Sequence, residues 1–156
     1  MKPLQKLWPA IENVAGMKAV LAEWRRQLGP DFDLTAPLLH PTDTHAESYP
    51  VADDPYASYR VISRGPNVIV GVHDGGRPTI ALTKQEVLIY GMDLRRIRRA
   101  VAAALGFEVL EATVDDVPHT SRIGTFCPFA GFAFPVYLVV PLEAADLLLA
   151  VEVVSS

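Results

Sequence analysis

Between Val14 and Leu28, apolar side chains recur every three or four positions: Val14, Met17, Leu21, Trp24 and Leu28. That spacing places them on one stripe of an α-helix, with Glu12, Lys18, Glu23 and Arg26 on its opposite face. Pro9 suits the first turn of such a helix, and Gly29-Pro30 ends it. The same period returns after Asp93, a residue suited to an N-cap. Leu94, Ile97, Val101, Ala104 and Leu105 form an apolar face, and Arg95, Arg96, Arg98 and Arg99 fall together on the other side. A basic amphipathic helix is expected over residues 93–105.

Between the two helices the period is two. SYRVISR, NVIVGV, PTIAL and EVLIY are short and β-branched, with turn signals at Arg64-Gly65-Pro66-Asn67, His73-Asp74-Gly75-Gly76 and Thr83-Lys84-Gln85. They predict an antiparallel meander over 58–91. FEVLEAT and a turn at Asp115-Asp116 follow the basic helix. TSRIGTFC and FAFPVYLVV then predict a hairpin over 120–140, turned at Pro128 to Gly131, and Leu142 to Val151 suits a short final helix. Residues 30–57 carry five prolines among small polar residues and read as a long proline-rich loop with short extended pieces. Loops of that length tend to be functional, mobile or held by a partner. The expectation is one domain, 1–156, of α+β class: mainly antiparallel sheet (meander plus C-terminal hairpin), packed by two amphipathic helices and a short C-terminal helix.

Composition narrows the picture. Half of the 156 residues are apolar and 21% are charged, which describes a folded chain and not a disordered one. A net charge of −4 argues against a nucleic-acid-binding surface over the whole molecule, though not against a local basic patch. Cys127 is the single cysteine and has no internal disulfide partner, and MKPLQKLWPAIENV has no apolar run resembling a signal peptide. A cytoplasmic location is expected. Residues 132–154 are the one stretch worth testing as a membrane span, but they carry Glu143, Asp146, Glu152, Pro135 and Pro141. They read as a buried strand followed by an amphipathic helix, with no membrane partner.

The arginines call for a counter-charge. Arg95 and Arg96 lie in a first helical turn, where each cation costs about 0.3–1 kcal/mol against the helix dipole. An anion would reverse that cost. The chain's own acids, Asp53-Asp54 or Asp115-Asp116, could supply it. So could nucleic-acid phosphate or an acidic protein, in which case Arg95, Arg96, Arg98, Arg99 and Lys84 form the binding set. A helix-turn-helix over LTKQEVLIYGMDLRRIRRAVAAALG is opposed by the strand character of VLIY and by Gly91.

Three stretches hold side chains capable of chemistry. HPTDTHAESYP contains His40, Asp43, His45 and Glu47; in an extended chain Asp43, His45 and Glu47 share a side and form a weak metal set. Zinc-enzyme spacings are absent, polar loop residues facing water account for the stretch, and no cofactor is expected. PHTSRIGTFCP offers His119, Ser121 and Cys127, but eight residues of strand separate His119 from Cys127 by about 26 Å. Only a bend at Gly124, or a base such as His45 or His73 from elsewhere, would serve Cys127. Between Phe126 and Phe129 that cysteine otherwise reads as a buried packing group. HDGGRP lacks the spacing of a phosphate loop and reads as a hairpin turn.

The stretch from Tyr49 to Leu82 resembles a zinc ribbon in outline, with knuckle-like turns near Val51–Ala57 and His73–Arg77 and strands between and after them. It is similar to uncharacterised bacterial proteins in which such a ribbon precedes a strand and an amphipathic helix. The resemblance implies an adaptor for nucleic acid or protein. It implies no zinc, because the stretch contains no cysteine.

The ending AADLLLAVEVVSS places Leu147, Leu148, Leu149, Val151, Val153 and Val154 close together. Either they complete the core, or they cover a second subunit or a partner. The leading expectation is a non-enzymatic protein–protein interaction or adaptor module, with a protein partner or homo-oligomer. Nucleic-acid binding through the Arg95–Arg99 face is the alternative, and a cysteine-dependent enzyme at Cys127 the third.

Overall fold

A computed structural model describes residues 5–113, 117, 120–140 and 144–154. The chain divides into two compact units, one ending at Asp93 and the other beginning at Leu94. Both combine helices with antiparallel sheet, so the α+β class holds.

The first unit opens with α1 (Leu7–Asn13), β1 (Lys18–Val20) and α2 (Leu21–Leu28). One continuous helix was expected here. Gly16 and Met17 instead take left-handed backbone conformations, φ +60° and +54°, which a helix does not accommodate. The three residues that follow pair as a strand with β7 (Leu88–Met92), in the register Lys18↔Gly91 to Val20↔Ile89. The apolar stripe is nonetheless the buried one. Val14, Met17, Trp24 and Leu28 are buried, and Leu21 is half-buried. Trp24 anchors the unit, with its ring enclosed and its indole N–H donating to the Tyr90 carbonyl at 2.9 Å.

Residues 30–57 are not the loop expected. They form a helical turn at Gly29–Asp31, α3 (Phe32–Thr35), a second turn at Ala36–Leu38, then β2 (Leu39–His45), β3 (Ser48–Val51) and the start of β4 (Asp54–Gly65). Pro30 and Pro37 sit in the first positions of helical turns, where a missing N–H costs nothing. Pro41 and Pro50 lie in β2 and β3, both edge strands, where the ladder tolerates proline.

The meander is shifted from the one expected, gaining β3 and losing β7. β3, β4, β5 (Val68–Val72) and β6 (Ile80–Leu82) form one antiparallel sheet, in chain order. β7 leaves it to become the centre of a second sheet, between β1 and β2. The same strand excludes the helix-turn-helix reading, because VLIY runs into β7 and not into a helix. Gly71 in β5 is a close approach, where an added Cβ would lie 2.9 Å from both Ile80 Cγ1 and Tyr59 Cβ.

The second unit holds α4 (Leu94–Ala104), β8 (Glu108–Thr113), β9 (Thr120–Phe126), β10 (Phe134–Val139) and α5 (Ala144–Val154). Its three strands are antiparallel in the order β10-β9-β8. α4 packs on β8 and β9, and α5 packs on β10. The expected hairpin is present, with Phe134 opposite Phe126 and Val139 opposite Thr120. The packed face of α4 is rotated from the one expected. Ile97 and Ala102 are buried, while Ala104 and Leu105 are exposed. Arg98, four residues before Ala102, is therefore half-buried instead of lying on the solvated back.

Candidate interaction surface

Ten consecutive residues at the β9–β10 connection, FCPFAGFAFP from Phe126 to Pro135, are all exposed and carry no charge. The turn is closed by the Phe132 N–H donating to the Phe129 carbonyl at 3.2 Å, with Gly131 at φ +89°. This brings the rings together in two edge-on pairs. Phe129 meets Phe132 at 5.1 Å between centroids and 73° between planes, and Phe107 meets Phe126 at 5.6 Å and 63°. Phe134 stands opposite Phe126 across the hairpin. Five of the six phenylalanines of the chain are thus gathered at one end of this sheet.

Cys127 lies inside this tip and is exposed, so its expected burial among aromatic rings is corrected. Its neighbours Phe126 and Phe129 are themselves turned outward, which leaves it no packed environment. Ser121 is buried in β9, and His119 lies outside the described residues.

α5 departs from expectation in the same direction. An amphipathic helix with a buried face was anticipated, but leucines and valines occupy all of its sides and only Ala150 is buried. Leu147, Leu148, Leu149, Val151, Val153 and Val154 are exposed, Leu148 to 73%. Asp146 and Glu152 are the only charges of this helix, and a helix so apolar is ordinarily covered on more than one side. Among the described residues no helix is long and apolar enough to cross a membrane.

Arg95, Arg96 and Arg99 are exposed, yet none of them is without a partner. Asp53 and Asp54 are engaged with Arg77, at 2.7 Å and 3.8 Å, and this pairing ties the turn after β3 to the turn before β6. Asp115 and Asp116 lie outside the described residues. Lys84 is exposed in the first unit, within a turn where Thr83 and Glu86 cap each other: the Thr83 N–H and hydroxyl both donate to Glu86 Oε2 at 2.7 Å. These bonds hold the Glu86 carboxyl below its ordinary range.

Asp43 and His45 are exposed on β2, and Glu47 is exposed just beyond it. Among the described residues no three His, Cys, Asp or Glu side chains gather as a metal site. His45 to Glu47 does have a structural role. The Ala46 N–H donates to the Val87 carbonyl at 2.7 Å, and the Val61 N–H donates to the Glu47 carbonyl at 2.8 Å, which joins the two sheets of the first unit. A cleft lies on each side of this joint, of about 640 Å³ and 320 Å³. The larger is lined by Lys18, Glu23, Arg26, His45, Glu47 and Tyr56, among others, and has the volume of a small-molecule site. Its strongest charges already satisfy each other: Arg26 is bonded to Glu23 at 2.6 Å and to the Pro55 carbonyl at 3.2 Å. Sequence reasoning missed this cleft because it assigned Glu23 and Arg26 to the solvated back of a helix. Beside it in β3, burial raises the Tyr49 phenol above its ordinary value, Glu86 adds to the rise and Arg25 opposes it.

No known protein family, curated protein or solved structure matches this chain.

Proposed function

We propose that the chain is a non-enzymatic protein–protein interaction module that works through the apolar surface of its second unit. The observation that carries this reading is the uncharged aromatic tip, Phe126 to Pro135, exposed over its whole length. The exposed leucines and valines of α5 add to it. Four phenylalanines near half exposure present roughly 400 Å² of ring surface, taking about 200 Å² for a full side chain. That alone reaches the size of the largest apolar patch on an ordinary monomer, before α5 is considered. Aromatic side chains gathered together are also the usual anchors of protein interfaces.

The test is affinity capture with two matched baits, the full chain and its Phe129→Glu/Phe132→Glu form, alongside native mass spectrometry of each. A bound protein, or a second copy of the chain, is expected on the first bait and absent from the second. A full chain that recovers no protein and stays at its 17.0 kDa mass overturns the reading.

A further inference from the structure

Resting on that interaction reading, we infer that the occupant of the aromatic tip is a second copy of this chain, packed tip against tip about a two-fold axis. Three observations carry the inference.

The first is charge. Two copies of a chain with net charge −4 repel wherever acids face each other. Phe126 to Pro135 is a ten-residue surface with neither acid nor base, so like can meet like there without penalty. An isologous contact needs a patch that complements itself, and edge-on phenylalanines do so, offering ring edges to ring faces.

The second is area. The four rings offer roughly 400 Å², and only those exposed side chains of α5 that share one side of the helix can add to it. α5 packs on β10, the strand that leaves the tip. The rings alone thus supply about half of the ~800 Å² that each partner contributes to a standard interface, which fits a self-association that grows with concentration.

The third observation concerns the competing occupant. A lipid-seeking loop combines apolar side chains with nearby cations and with tryptophan or tyrosine at the headgroup level. The tip has no lysine, arginine, tryptophan or tyrosine. A protein surface of its own kind fits it better than a bilayer.

Sedimentation velocity on the full chain, from about 1 to about 100 µM, tests the inference. A species of twice the 17.0 kDa chain mass is expected as concentration rises. Phe129→Glu and Phe132→Glu should each weaken self-association on the order of 100-fold while leaving the circular dichroism spectrum unchanged. Phe132→Leu should retain it, which separates loss of the contact from loss of the fold. Exposed Cys127 supplies an independent readout, since a short bis-maleimide should join two wild-type chains and spare Cys127→Ser. A chain that stays at monomer mass up to the highest concentration overturns the inference, as does a dimer indifferent to both glutamate variants. Binding of the monomer to phosphatidylcholine vesicles through Phe129 and Phe132 overturns it in favour of lipid. If the chain is monomeric but captures a different protein through these two rings, the second copy is excluded and the interaction reading stands. If it captures nothing, both fail.

Discussion

The two units use their apolar residues in opposite ways. Up to Asp93, Trp24, Leu28, Val51 and Val87 are almost wholly enclosed, and four large apolar side chains are exposed among the described residues: Trp8, Leu34, Tyr56 and Val68. From Leu94 onward eleven are exposed among the described residues, and Ile97, Val117 and Ile123 are the buried ones larger than alanine among those residues. Arg122 in β9 adds a polar cost, since its Nε is buried without a hydrogen-bond partner among the described residues. The first unit therefore resembles a finished core. The second resembles half of one. Scattered exposed leucines are ordinary in folded proteins, but an uncharged aromatic hairpin tip together with a helix exposing six leucines and valines is not.

The sharpest way to break this comparison is at Trp24, the centre of the finished core. Trp24→Ala removes an enclosed indole and leaves the Tyr90 carbonyl of β7 without its donor. The expected loss is about 3–5 kcal/mol, read from urea unfolding by far-ultraviolet circular dichroism. A loss below about 1 kcal/mol would mean that the packing around α2 is far looser than its burial indicates.

The same contrast explains what could be read in the sequence. Elements whose pattern is local were legible: the strands after residue 58, the helix at Leu94 and the hairpin of β9 and β10. Choices made by distant partners were not. β1 lies within a helical period, and nothing in Lys18-Ala19-Val20 announces its pairing with β7, about seventy residues away. EVLIY has the character of a strand, but its partner in the next sheet is invisible to alternation alone. Prolines in 30–57 suggested loop because the placement of Pro30 and Pro37 at helical starts and of Pro41 and Pro50 on edge strands depends on the finished fold. Of the site, the arginine run was conspicuous, and Arg95, Arg96 and Arg99 each take part in an interaction. The apolar ending was also visible, yet an apolar stretch looks the same whether it fills its own core or awaits a partner. The exposure of Phe126 to Pro135 and of α5 is what the proposed interaction surface rests on.

A smaller effect sharpens the contrast from the polar side of the first unit. Glu86 accepts two hydrogen bonds from Thr83, and these hold its folded-state pKa below the ordinary 4.5. A carboxylate with a depressed pKa contributes stability that is fully present above its unfolded value and is lost as pH falls through the folded one. The carboxylate is exposed, so solvent screening keeps the contribution small. The stability difference between wild type and Glu86→Gln should therefore be constant near neutrality and close below about pH 4. Fluorescence is a suitable monitor, because both tryptophans lie in this unit and Trp24 is bonded to β7. A difference that does not change with pH would remove the charge-assisted cap from the account.

The smallest expected effect is the most informative about the second unit. Leu148 is 73% exposed on α5, so in dilute solution Leu148→Ser should change stability by no more than about 0.5 kcal/mol. An equally apolar residue in the first unit, enclosed Leu28, should cost about 2–5 kcal/mol when cut to alanine. If Leu148→Ser costs more than about 2 kcal/mol in the dilute chain, α5 is covered within the molecule and the half-built core is an incorrect description. Raising the protein concentration then separates intrinsic from borrowed stability. Self-association stabilises the folded state by mass action, so the wild type should gain resistance to urea as concentration rises. A tip variant such as Phe132→Glu should gain none, and Leu148→Ser should gain less than wild type only if α5 joins the tip in the interface.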